Sequence, residues 1–226
     1  MIPCAPVEWR QPAVAPAALQ QAPAPSDAPG YAAALQPSRW GWITLPRWCV
    51  WVEPGANDRW AQRWSTAVNS ALREWGQHLE LVRVSDANAA HLRLWRRRPP
   101  RQNGRASNGR AYLSLQQVQR QGQSGPRLEP QVELLLSPGL RLQTLQAAAL
   151  HELGHGFGLW GHSDQASDVM ALHQGPQPRL ELSGRDLQTL RWLQQQPSGV
   201  GAGGSAVEPG QTAAPAPAPP SGPTAD

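Results

Sequence analysis

The stretch His151-Glu152-Leu153-Gly154-His155-Gly156-Phe157-Gly158-Leu159-Trp160-Gly161-His162 decides how this chain is read. Its first five residues end a segment of helical periodicity that starts near Leu140. On a helix, His151 and His155 stand one turn apart on one face, close enough for both imidazoles to bind one ion. Glu152 follows the first histidine, so its carboxylate reaches a water on that ion rather than the ion itself. Neutral imidazole is a zinc ligand, and a reactive zinc site keeps about three protein ligands and one open position. The reading from these residues is therefore Zn2+ held by His151 and His155, with Glu152 as the catalytic base.

The surroundings of the motif point the same way. Leu142, Gln146, Ala149, Leu153 and Phe157 fall along one side of the helix. The histidines fall nearly opposite, beside Ala147 and Ala148, whose small side chains leave room for a metal and a substrate. Gly154, Gly156 and Gly158 crowd one turn, although a helical glycine costs about 1 kcal/mol relative to alanine. Gly158 is placed to turn the chain off the helix in a left-handed conformation. The returning chain then brings His162 toward the same ion, with Asp164 and His173 as the alternatives for the third ligand.

Working outward, Cys49 to Glu53 reads as a strand closed by Pro54-Gly55. A helix capped by Asn57 or Asp58 carries Trp60, Trp64, Val68, Ala71, Leu72 and Trp75 at helical spacing, up to Gly76. Leu79 to Val84 and His91 to Arg96 read as strands. Ala111 to Leu115 alternates as a half-buried strand does, and Val132 to Leu136 reads as a central strand. After the histidine helix, Ser183-Gly184-Arg185-Asp186 forms a capping box that opens a last helix with Leu187, Leu190 and Leu193, ended by Pro197. The order is α+β, with a mixed sheet backed by helices. Residues 1–38 and 197–226 are rich in Ala, Pro, Gly and Gln and read as flexible arms around a domain at 39–196.

Composition excludes some classes. No apolar run nears the roughly 18–20 residues of a membrane span. All 20 basic residues are arginine, and the net charge is only +4, a weak pull on acidic partners. Arg93, Arg96, Arg97, Arg98, Arg101, Arg105 and Arg110 cluster around one strand end and loop. With Pro99-Pro100 and Asn-Gly turns among them, they read as a solvated loop rather than a nucleic-acid surface. Cys4 and Cys49, the two cysteines, are too few for a disulfide framework or a cysteine zinc site. Cys4-Ala5-Pro6 also admits a thiol latch on the metal or a lipid-bearing cysteine. Met1 to Pro6 show neither the charged start nor the apolar stretch of a signal peptide.

The segment HELGHGFGLWGHSDQASDVM, His151 to Met170, resembles the metzincins and, within them, the matrixin branch of zinc endopeptidases. His151, Glu152, His155 and Gly158 match the pattern H-E-x-x-H-x-x-G-x-x-H, and Met170 matches the methionine turn that lies under the metal. Leu182 to Leu187 is similar to the opening of the matrixin C-terminal helix. Ala90 to Leu94 and Gly109 to Ala111 are similar to parts of the family's third and fourth strands. The resemblance spans most of Arg47 to Gln195. It departs from the pattern twice. Gly161 occupies the third ligand position and His162 follows it, an extra residue that a bulge at glycine can absorb. Ala171 stands where matrixins place a tyrosine at or near the turn.

The resemblance implies a twisted sheet above an active-site helix and a small C-terminal lobe. It implies hydrolysis of internal peptide bonds in a polypeptide substrate, by a water activated on Zn2+ that is held by His151, His155 and His162. It implies a place outside the cytoplasm; the oligomeric state stays open, with a monomer expected. An extended substrate would pair with the edge strand at Tyr112, Leu113, Ser114 and Leu115, since strand addition aligns a peptide without reading its sequence. The alternative is an inactive metal-binding module that binds peptides without cutting them.

Overall fold

β6, Arg127–Leu136, shows why the sheet has two unlike faces. Val132, Leu134 and Leu136 alternate inward and are fully buried, while Glu129, Gln131 and Glu133 point to the other face. Period-two alternation of this kind buries one face of a strand and leaves the other polar. The computed structural model describes residues 4–16, 21–55, 57–101, 106–173 and 177–201. Its other strands are β1 (Val7–Pro12), β2 (Trp48–Val52), β3 (Leu81–Arg83), β4 (Leu92–Trp95) and β5 (Gly109–Arg120), and its helices are α1 (Arg59–Trp75), α2 (Leu142–Gly156) and α3 (Gly184–Gln194).

The strands form one six-stranded mixed sheet in the order β1-β5-β6-β4-β2-β3. β6, β4, β2 and β3 are parallel neighbours, while β5 is antiparallel to both β6 and β1. The protein is therefore α+β, with helices α1 and α2 packed side by side and α2 lying against β5 and β6. Asp58 caps α1 by accepting from the backbone N–H groups of Trp60 and Ala61. That choice settles the Asn57/Asp58 alternative. Trp64, Val68, Ala71, Leu72 and Trp75 line the core. Trp60 does not. It sits in the first turn, 42% exposed, with Arg59 and Arg63 over its ring. Leu142, at the start of α2, is likewise 43% exposed rather than part of the core face.

The N-terminal arm departs from the sequence reading. Val7–Pro12 adds to the sheet as β1, and Tyr31, Ala32 and Leu35 are buried. Cys4 is joined to Cys49 of β2 by a disulfide, which leaves neither a thiol to latch a metal nor a cysteine to carry a lipid. The polar outer face explains the attachment. Arg120 is bidentate to Glu129 and also donates to the carbonyls of Ala5 and Ala89. Arg10 of β1 donates to Gln131. A hydrophobicity count misses this, because backbone pairing, charge and a covalent bond hold the arm. Val200 of the C-terminal arm is also buried. Residues 202–226 of the predicted tail lie outside the described residues.

Three members of the arginine cluster are used locally. Arg93 pairs with Glu133 and Arg96 with Asp58, and Arg97 lies over Trp95. Arg105 lies outside the described residues. Among the described residues, no helix is long and apolar enough to cross a membrane.

Candidate metal centre

Helix α2 carries His151, Glu152 and His155 in its last two turns. The chain then reverses at Gly158, whose φ of +104° lies in the left-handed region. A Cβ there would also sit 2.2 Å from the carbonyl oxygen of Ile43. Glycine is required on both counts. The reversal returns His162 to the helix. The ring centroids of His151 and His155 are 4.9 Å apart, and that of His162 lies 5.3 Å and 5.0 Å from them. One ligand atom from each of the three lies within 4.8 Å of the other two.

Two backbone carbonyls aim these rings. His151 Nδ1 is 2.8 Å from the carbonyl oxygen of Val169, and His155 Nδ1 is 2.8 Å from that of Leu159. A carbonyl only accepts, so each Nδ1 carries the proton and each Nε2 keeps its lone pair. Burial pushes His151 down to about 4 and His155 to about 3, the latter helped by His151 itself. His162 is also lowered, by burial and then by His173. Neutral imidazoles with second nitrogens anchored behind them suit a transition-metal ion.

His162 reaches the cluster because the loop around it is fixed on both sides. The N–H of Ser163 donates to the Met170 carbonyl at 2.8 Å, and Ser163 bridges to Ala171. On the other side, a Cβ on Gly161 would lie 2.4 Å from the carbonyl oxygen of Ala34, and Gln36 N–H donates to the Trp160 carbonyl. The extra residue is thus not slack. Gly161 is needed for close approach to the N-terminal segment rather than for loop flexibility. Asp164 is exposed and paired with Arg185 at 2.8 Å, and His173 lines the neighbouring cavity. Neither belongs to the cluster. Met170 lies fully buried against the helix, and a Cβ on Gly154 would meet its sulfur at 2.2 Å.

Glu152 is 9% exposed. Its carboxylate accepts from the Ala111 N–H of β5, and its Cγ lies 2.5 Å from where a Cβ on Gly109 would be. Burial pushes its carboxyl up to about 8, against the pull of Arg110 and that N–H. A bound cation beside it would draw the value back down. A cavity of about 470 Å³ opens in front of these groups, lined by Gly109, Thr144, Ala147, Ala148, His151 and Glu152 among others. The small residues on this side of α2 are the ones whose spacing suggested room for a substrate.

Of the predicted edge strand, Tyr112, Leu113 and Ser114 have no strand pairing on their outer side among the described residues. Leu115 differs, because its carbonyl accepts from Ala13 N–H at 2.9 Å. Asp186 is more than a helix cap. Wholly buried, it accepts from Val169 N–H, Met170 N–H, Ser183 N–H and the Tyr31 hydroxyl. The capping box flagged Asp186, but nothing local in sequence links it to Tyr31. No family model matches the chain, and no curated protein is found to match it.

Proposed function

We propose that this protein is a zinc-dependent endopeptidase of the metzincin type, nearest to the matrixins. The observation that carries the reading is that His151, His155 and His162 cluster tightly enough to share one ion, while His151 and the buried Glu152 line one cavity with Gly109 at the start of β5. Zinc, when bound, supplies a Lewis acid for the substrate carbonyl and makes water acidic near neutral pH. His151, His155 and His162 would hold the ion, the first two oriented by the Val169 and Leu159 carbonyls. Glu152 would take the proton from water in the cavity and pass it to the leaving amine. The backbone of Tyr112 to Ser114 would align an extended peptide. The cavity beside Ala147 and Ala148 would receive one of its side chains. The Cys4–Cys49 disulfide supports an oxidising, extracytoplasmic compartment for this reading.

The test is metal analysis joined to peptide cleavage. Purified protein should hold about one zinc per chain, lost from His151→Ala or His155→Ala and bound much more weakly by His162→Ala. Asp164→Ala and His173→Ala should retain it. Glu152→Gln should keep the metal and lose about 10²–10⁴-fold in turnover. Full zinc content in all three histidine variants would refute the site. Zinc-loaded protein that binds peptides yet cuts none would leave the inactive peptide-binding module as the answer.

A further inference from the structure

β1 already fills part of the lane beside β5 that the proposed substrate would use. Arg10, Gln11 and Pro12 stand opposite Val118, Gln117 and Gln116. Ala13 N–H then donates to the Leu115 carbonyl. There the chain leaves the sheet, for Val14 is 92% exposed. Backbone groups of alternate residues face the same side of a strand. Since the Leu115 carbonyl faces the lane, so do the N–H and C=O of Leu113 and of Ala111. The Ala111 N–H is given to Glu152, which marks where in the lane the reacting bond must lie.

Direction follows from β1. It is antiparallel to β5, so a peptide continuing its lane in the same sense has its N-terminus toward Ala13 and its C-terminus toward Gly109. Between the level of Ala111 and the blocked Leu115 the lane holds about three extended residues. β1 does not yield its place cheaply. Cys4 is bonded to Cys49, Ala5 accepts from Arg120, and Arg10 donates to Gln131.

We infer that Ala13, at the end of β1, is a stop for the N-terminal side of the substrate, so that the enzyme favours bonds about three residues from a peptide's free N-terminus. This specificity rests on the zinc-peptidase reading above and narrows it, from internal bonds in general to bonds near a free N-terminus. The primed side, toward Gly109 and the cavity, carries no such stop among the described residues.

The experiment starts with a peptide pool and zinc-loaded full-length protein, with the cut bond identified by mass spectrometry. The cleaved peptide is then lengthened one residue at a time on either side. Cleavage efficiency should fall about tenfold or more once more than about three residues precede the bond. Extension on the C-terminal side should change little. The same series is measured for binding to Glu152→Gln protein by fluorescence anisotropy, where turnover plays no part, and should show the same break. Equal tolerance on both sides, or a break on the C-terminal side, overturns the inference while leaving the peptidase reading intact. If no peptide is cut but binding breaks at the predicted length, the peptidase reading fails and the stop stands. If peptides neither are cut nor bind, both fall.

Discussion

Gly109 carries no side chain, and the reason is Glu152. A methyl group there would meet the glutamate Cγ at 2.5 Å and its carboxylate at 2.9 Å. Both groups are anchored, Gly109 by pairing with Leu136 and Glu152 by its helix. Gly109→Ala should therefore displace the carboxylate from Ala111. A misplacement near 1 Å costs about 10²-fold in a positioned reaction. The expected outcome is a loss of that order in peptide turnover with zinc content unchanged, read by metal analysis and an activity assay on the same sample. Unchanged turnover would show that Glu152 tolerates another position. The same logic separates Gly154 from Gly158. The first makes space for the Met170 sulfur, the second supplies a positive φ and space together.

Among the elements, the segment around the short 3-10 turn Ala32–Ala34 is the one most closely tied to the metal loop. Tyr31 donates its hydroxyl to Asp186 at 2.8 Å and its backbone N–H to Thr189. Asp186 also receives Val169 N–H, and the Val169 carbonyl in turn holds His151. Tyr31→Phe should leave a fully buried carboxylate short of one donor, at a cost of about 1–3 kcal/mol. Urea unfolding of metal-free protein checks this, and a midpoint equal to that of the parent would show that Asp186 finds another partner. Helix α3 thus does two jobs with one residue. Its capping box was legible because Ser183 and Asp186 are three apart. Its grip on the methionine loop was not.

On the scale of the whole molecule, the outer face of the sheet carries a buried charge cluster. Glu129 faces Arg120 and His91 from neighbouring strands, with Arg10 of β1 nearby. Burial alone would raise the Glu129 carboxyl, but the hydrogen bonds from His91 and Arg120 outweigh it and hold the value at about 2. A folded value below the unfolded one means stabilisation that is complete above about pH 4.5 and lost as pH falls toward 2. The size is on the order of 3 kcal/mol. Urea unfolding of metal-free protein across that window should show the loss, and Glu129→Gln should make it shallower while lowering stability at neutral pH, the buried His151 and His155 supplying the slope that remains above about pH 3. Parallel slopes in the two proteins would place the acid sensitivity elsewhere. Because Arg120 also holds Ala5, acid should loosen β1 together with the outer face, the arm staying tethered through Cys4–Cys49.

The order of strands and helices from Trp48 to Gln194 was readable because each element advertises itself locally: alternation in β5, a continuous apolar run in β6, a three-to-four spacing in α1 and α2, caps at Asp58 and Ser183. The spacing of His151 and His155 likewise fixes a shared helix face by itself. The sequence alone left open which residue joins them, since His162, Asp164 and His173 are all near in the chain. Tertiary structure decided for His162, through the Ser163–Met170 pairing on one side and the Ala34 contact on the other. It also decided the fate of the N-terminal arm. That segment lacks the apolar content that signals folding, and is held instead by backbone pairing to β5, by Arg120 and by Cys49. Partners of the arm lie as far off as Asp186, 155 residues from Tyr31, so no local pattern could announce them.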